Sequence, residues 1–211
     1  MWTNKANKLI LASASPRRLE LLKQIAVPVE QLVVPVVQTV SISGDDEPRL
    51  PGETVTDYVM RTAHDKNQRA RAHWHDTYAD HDIPILSADT TVAMDQTILG
   101  KPVDDADAKR ILTALAGQTH DVYTAVVLST SAIDGQTHSA LVHTRVTIDV
   151  ALHDCIDAYI ATGEPKGKAG AYAIQGIAAA YVTEVTGSYS SVVGLPLYET
   201  AQLLRQAGLY S

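Results

Sequence analysis

The sequence predicts an α/β protein with a mixed sheet and flanking helices. Strand-like and helix-like segments interleave along the chain, and at least two hairpin signals interrupt that alternation, which excludes a regular doubly wound sheet. No internal repeat, heptad series or low-complexity segment divides the 211 residues, so a single domain is expected over 1–211.

The elements follow in order. Residues 8–13, KLILAS, read as a buried strand that runs into a helix at Pro16, where proline's missing N–H costs nothing. Ser15 is the expected N-cap, and Leu19, Leu22 and Ile25 recur at helical spacing. VEQLVV (29–34) reads as a second strand, and SGDDEPRLPG (43–52) as a loop whose acidic run GDDE is a solvated face, or an auxiliary metal contact only if the fold brings it to Asp89. Thr54 with Asp57 resembles a capping box opening a long polar helix that lasts to about HWHD (73–76). IPILSAD (83–89) and TVAMD (91–95) are two short strand-like runs, with QTILGK (96–101) completing a hairpin. Asp104 and Asp107 start a helix that Gly117 stops. Residues 120–131 and 137–150 read as strands flanking IDGQ, whose Asp-Gly pair signals a hairpin. A helix at DCIDAYIA (154–161), a late strand at AAAYVTEV (178–185) and a final helix opened by Pro196 and closed by Gly208 complete the chain.

Seventeen Lys and Arg against 24 Asp and Glu give a net charge of -7, so the surface as a whole repels nucleic acid and anionic membranes. Anions can bind only where cations are concentrated locally. One cysteine, Cys155, excludes an internal disulfide and fits a reducing, cytoplasmic setting. The run LILA is too short for a secretion signal, and no apolar run approaches the roughly 20 residues that cross a bilayer.

Three stretches carry chemistry. LASASPRR (11–18) sets a strand-to-helix turn beside Arg17 and Arg18, although cations are unfavourable at a helix N-terminus. A bound polyanion, most simply a phosphate chain, removes that cost; arginines turned to solvent or paired with acids would also do so. SADTTV (87–92) has Asp89 at the end of an apolar run, where a carboxylate can hold a divalent metal or act on water as general base, or merely cap a turn. LGKPVD places Lys101 in a turn, and GEPKGKAGAYAIQG (163–176) joins glycines and lysines to Tyr172 and Gln175 in a loop where backbone can approach a ligand. His73 and His75 lie two apart on the expected helix and cannot share a metal. Cys155 reads as a core residue.

Taken together, LASASPRRLELL, SADTTV, LGKPVD, YIATGEPKGKAGAYAIQG and GSYSSVVGLPLYET resemble the Maf family of nucleoside triphosphate pyrophosphatases, also described as septum-formation proteins. The resemblance implies an elongated mixed sheet with flanking helices, related to inosine triphosphate pyrophosphatases, with two lobes around a central cleft. It implies a divalent cation, Mg2+ or Mn2+, bound through Asp89, a homodimer, and hydrolysis of a nucleoside triphosphate to monophosphate and pyrophosphate. Asp89 corresponds to the family's proton acceptor, with Lys101, Lys66 and Arg18 alongside it. Ser13, Ser15, Arg17, Thr90, Lys168 and Gln175 correspond to substrate contacts. Arg17, Thr90 and Gln175 together resemble the branch acting on dTTP and UTP. The sequence departs from the family at Val37 and Gln38, where an acid is expected, at Gly167 in place of Asp, and at Ala173 in place of Gly. The alternatives are a nucleotide-binding regulator of septum formation with little catalysis, and a pyrophosphatase for modified or purine nucleotides.

Overall fold

The computed structural model describes Trp2 and residues 8–34, 47–78, 82–133 and 135–211. Val37 and Gln38, Asp45 and Asp46 of the acidic run, and Asp134 of the hairpin signal lie outside the described residues. In chain order the elements are β1 (Leu9–Ala12), α1 (Pro16–Gln24), β2 (Val29–Leu32), α2 (Val55–Thr77), β3 (Ile85–Met94), β4 (Thr97–Leu99), α3 (Asp105–Leu115), β5 (Thr119–Ser129), β6 (Thr137–Ile148), α4 (Ile156–Ala161), β7 (Val182–Thr186), α5 (Tyr189–Val193) and α6 (Leu197–Gln206). Among the described residues, seven strands make one mixed sheet in the order β2-β1-β3-β5-β6-β7, with β4 added to β3. β1 runs parallel to β2 and β3, and the remaining pairs are antiparallel.

Local chemistry accounts for the boundaries. The hydroxyl of Thr54 accepts the Asp57 N–H at 3.1 Å and the carboxylate of Asp104 accepts the Asp107 N–H at 2.7 Å, capping α2 and α3 as expected. The β3–β4 turn holds Asp95 and Gln96 at φ 48° and 66°, the left-handed pair that a two-residue hairpin turn requires. Ser15 occupies the N-cap of α1 without a side-chain cap bond; its own N–H is taken by the Ser13 hydroxyl at 3.2 Å. The two expected runs at 83–95 are one ten-residue strand, because β5 pairs with β3 from Ile85 to Ala93 and satisfies the polar stretch at Asp89 and the threonines. The late strand starts only at Val182, after a 3-10 turn over Ile177–Tyr181, and α4 starts at Ile156 after another over Val150–Cys155. Cys155, expected in the core, is half-buried.

The core explains where a cleft can open. α2 covers one face of the sheet, packing Val55, Val59 and Ala63 against Ala93, Ala125 and Val127. On the other face two apolar clusters lie end to end. One joins Leu22, Leu86, Ala88, Val126 and Leu128 to Leu203 and Leu204 of α6; the other joins Val92, Val122 and Val146 to Ile111, Leu112 and Leu115 of α3. Each fully buried leucine of these clusters contributes about 1.5–3 kcal/mol. Side chains two apart share a face of a strand. Thr90 therefore sits between Ala88 and Val92 of the two clusters, and its partner Thr124 between Val126 and Val122. This polar seam divides the molecule into two lobes.

The same point lies at a gap in the sheet. β1 pairs with β3 only at Ile85 and Leu86, and β4 joins only from Val92. Between them, among the described residues, β3 has no strand partner on that edge.

Candidate active site

A cleft of about 580 Å³ opens at this gap. Its walls come from the β1–α1 turn and first residues of α1 (Ser13 to Arg18), β3 (Asp89, Thr90), α2 (Lys66, Arg69), the turn carrying Lys101, the loop from Gly167 to Gln175, and the end of α5 with the following Gly194 (Val192 to Gly194). Every residue singled out in the sequence as a site candidate lines it: Ser13, Ser15, Arg17, Arg18, Lys66, Asp89, Thr90, Lys101, Lys168 and Gln175. A smaller cavity of about 30 Å³ adjoins it and shares Asp89, Lys66, Lys101 and Glu47.

Asp89 faces α2. Its Oδ1 accepts the Lys66 ammonium at 2.6 Å, and its Oδ2 accepts the hydroxyls of Thr62 at 2.9 Å and Thr91 at 3.4 Å. Burial alone would push the carboxyl up, but Lys66, Arg18 and Thr62 outweigh it and hold Asp89 below the usual carboxylate range. The group is ionised, ordered and partly buried. The sequence placed it at a strand end; mid-strand, its orientation is fixed by a ladder on one side and a helix on its face.

Thr90, the next residue, points to the opposite face. Its hydroxyl is met by Arg18 Nη2 at 3.2 Å and by the Thr124 hydroxyl at 3.1 Å. Arg18 also donates from Nε to the Gly194 carbonyl at 2.8 Å and from Nη1 to Ser13 at 3.2 Å. One guanidinium thus ties the β1–α1 turn, the seam and the end of α5 together. Arginine's rigid fork suits that role. The short helix α5, which the sequence reading did not contain, ends at Gly194, whose carbonyl fixes Arg18.

The far wall is the loop 163–178. Lys168 donates to the Glu164 carbonyl, and burial together with the nearby Arg17 pushes its ammonium down from the ordinary lysine range. Gly170, at φ +72°, donates its N–H to the Gly100 carbonyl at 3.1 Å, docking the loop on the turn that presents Lys101. Tyr172 is buried, and its hydroxyl meets His120 Nε2 at 2.9 Å. Gln175 is exposed at the cleft rim. Gly167 is at φ +69° with open space around its Cβ position, and Ala173 is accommodated in the buried wall, so both departures from the family pattern fit the loop.

Glu47, in the acidic run read as a solvated loop, is brought into the cleft and ion-paired with Arg69. Glu47 is thus a second carboxylate of the cleft, delivered by the segment that precedes α2. Its main chain is anchored there: Tyr58 donates to the Glu47 carbonyl at 3.1 Å and Arg61 to the Pro48 carbonyl at 3.1 Å. Sequence reasoning missed Arg69; it reads the acidic run as a solvated loop that could contact a metal only if the fold brings it to Asp89, and Glu47 does line both cavities that Asp89 lines.

In sum, six cations (Arg17, Arg18, Lys66, Arg69, Lys101, Lys168) and two carboxylates (Asp89, Glu47) face one cavity in a chain of net charge -7. Such a site favours a ligand with several negative charges next to a less polar part. The apolar wall of Val92, Val122, Tyr172, Ile174, Val192 and Val193 provides for the latter.

A family model described as Maf-like protein matches residues 8–207. A dTTP/UTP pyrophosphatase of Bordetella parapertussis is 50% identical over 202 residues, spanning 96% of this chain and 93% of that one. One from Nitrosomonas europaea is 46% identical over 211 residues, with 99% of each chain covered. Among solved structures, a nucleoside-triphosphatase / dITP/XTP pyrophosphatase from Mycobacterium abscessus aligns at 17% identity and a TM-score of 0.39 over 68% of this chain and 74% of that one.

Proposed function

The chain belongs to the Maf family, and from that premise we propose that its cleft hydrolyses dTTP and UTP to the nucleoside monophosphate and pyrophosphate. The observation that carries this reading is the gathering of six cations in one cleft with an ionised, oriented carboxylate, Asp89.

In this reading the triphosphate lies among Arg17, Arg18, Lys66, Lys101 and Lys168, and the base rests on the apolar wall with Thr90 and Gln175 at its polar edge. Asp89 orients a water molecule and takes its proton as the oxygen attacks the α-phosphorus. The bond from that phosphorus to the bridging oxygen breaks, and pyrophosphate leaves. The cations meet the charge that grows on the phosphate oxygens, a role for groups already in place before reaction. Lys66 would be shared between Asp89 and phosphate, so its partial transfer to substrate strengthens Asp89 as a base.

Among the described residues no three His, Cys, Asp or Glu side chains converge as a metal cluster. The donor set nevertheless suits Mg2+ or Mn2+, which are commonly held by one or two carboxylates plus substrate phosphate oxygens. Asp89 and Glu47 line one small cavity and would hold the ion. When bound, it would neutralise phosphate charge and lower the pKa of water. Among the described residues no helix is long and apolar enough to cross a membrane. A cytoplasmic location, a homodimer and a link to septum formation go with this reading on the family resemblance alone.

Hydrolysis of UTP in water labelled with oxygen-18 tests the reaction. Label in UMP with none in pyrophosphate is expected; release of inorganic phosphate and UDP contradicts it.

A further inference from the structure

The loop from Gly163 to Ala178 carries Lys168, Tyr172 and Gln175 into the cleft, yet Glu164, at its foot, does not line the cleft. Its carboxylate is nonetheless the most heavily engaged group of the loop. Oε1 accepts the Tyr159 hydroxyl at 2.8 Å and the Ala178 N–H at 3.3 Å, and Oε2 accepts the Ile177 N–H at 3.0 Å. The Glu164 carbonyl accepts from Lys168 Nζ. The Tyr159 hydroxyl oxygen in turn accepts the Ala173 N–H at 3.4 Å, so the same contact reaches the middle of the cleft wall.

One side chain therefore joins the first residues of the loop to its last. The backbone is shaped around that contact. A Cβ on Gly176 would fall 2.2 to 2.6 Å from the Glu164 carboxylate, closer than any side chain can sit. Any residue with a Cβ at that position, immediately after Gln175, would have to displace the carboxylate. The three donors satisfy an anion. Burial opposes ionisation, and the two N–H groups, the phenol and Lys168 more than compensate, keeping Glu164 charged.

Building on the proposed nucleotide reaction, we propose that Glu164 is a positioning residue for substrate recognition: it clasps the two ends of the loop and so sets Lys168 for phosphate and Gln175 for the base. A loop of this length has many accessible conformations, and fixing it before binding removes the ordering cost from the binding step. The clasp acts through its two clients, so its loss shows in affinity and in the ranking of bases.

The test uses the full chain and a non-hydrolysable α,β-imido-UTP, with the corresponding GTP analogue for comparison, in calorimetric titrations of wild type, Glu164→Gln, Gly176→Ala, Gln175→Ala and the Glu164→Gln/Gln175→Ala double variant. Amide hydrogen exchange is followed over 164–178 in the same proteins without nucleotide. Glu164→Gln presents an NH2 to donors and loses the charge; Gly176→Ala displaces an intact carboxylate. Both are expected to weaken the uridine analogue about tenfold or more, the effect of one lost charge-assisted hydrogen bond, and to shrink its advantage over the guanosine analogue. Exchange should quicken from Ile177 back to Lys168. The double variant should lose less than the sum of its parts, because Glu164 acts partly through Gln175. Unchanged affinity and ranking with faster exchange confined to Ile177 and Ala178 would overturn the proposal, as would fully additive losses. If wild type binds neither analogue, the nucleotide reading fails, while the spread of exchange still decides whether Glu164 orders the loop.

Discussion

Lys66 Nζ lies 2.6 Å from Asp89 Oδ1, and the side chains retain only 22% and 13% of their exposure. This pair sets the protonation state of the proposed base. Asp89 is poised by a cation, so its acid limb in kcat/KM should fall below its ordinary value of 3.8. Replacing Lys66 with Met removes the stabilising charge and leaves burial, which favours the neutral acid. The limb should then move up by about 1–3 units, the range for an opposite charge at contact. A pH profile of kcat/KM from 3.5 to 9 checks this; an unmoved limb in Lys66→Met would separate Asp89 from the titration that limits turnover.

Specificity should sit at the seam and the rim. Thr90 is held by Arg18 and Thr124, and Gln175 faces the cleft mouth. Gln175→Glu should change the order of preferred nucleotides more than the summed rate, because it alters the polar edge offered to the base. Competition among UTP, CTP and GTP measures it, and an intact order would remove Gln175 from base recognition.

Gly170→Ala should destabilise the fold by about 1–3 kcal/mol, the cost of a non-glycine residue in a strained backbone state. Gly170 has φ +72°, and its added Cβ would sit 3.0 to 3.2 Å from the Val92 side chain. Chemical unfolding gives the value. Val92→Ala carries its own core-truncation cost, so relief of the contact should show as a double-variant loss smaller than the sum of the two single losses.

Glu53 and Arg61 give the clearest pH signature of stability. Arg61 Nε meets Glu53 Oε1 at 2.6 Å, and this hydrogen bond is the main reason the Glu53 carboxyl lies below its ordinary 4.5. A lowered folded-state pKa stabilises the protein above the unfolded value, and the gain is lost as pH falls through the folded one. Glu53→Gln should therefore lower stability at pH 7 and flatten its decline below about pH 4.5. Unfolding curves at pH 7, 5 and 3.5 check both halves.

Much of this was legible in the sequence because local signals coincide with local structure. Thr54, Asp104 and Pro16 start their helices where their chemistry says, and β5 and β6 lie where their strand-like runs are read. Asp89 was found as a carboxylate beside an apolar run. Its place inside one long strand was not, because ten paired residues read as two runs when polar side chains at the seam break the apolar pattern. For the acidic run of Glu47 the sequence left a solvated loop and a metal contact beside Asp89 both open, since its place depends on anchors from α2, Tyr58 and Arg61, which no spacing reveals. α5 escaped for a similar reason: five residues of YSSVV carry too little periodicity to read as a helix.

The most direct test of the proposed activity is pyrophosphate release from dTTP, UTP, CTP, GTP, ATP, ITP and 7-methyl-GTP with Mg2+ or Mn2+, with Asp89→Asn as control. Preferential turnover of dTTP and UTP is expected, falling by about 10²- to 10⁴-fold in the folded control, the size of a general-base contribution. Turnover of no nucleotide by the folded wild-type chain, or undiminished turnover in Asp89→Asn, would contradict it.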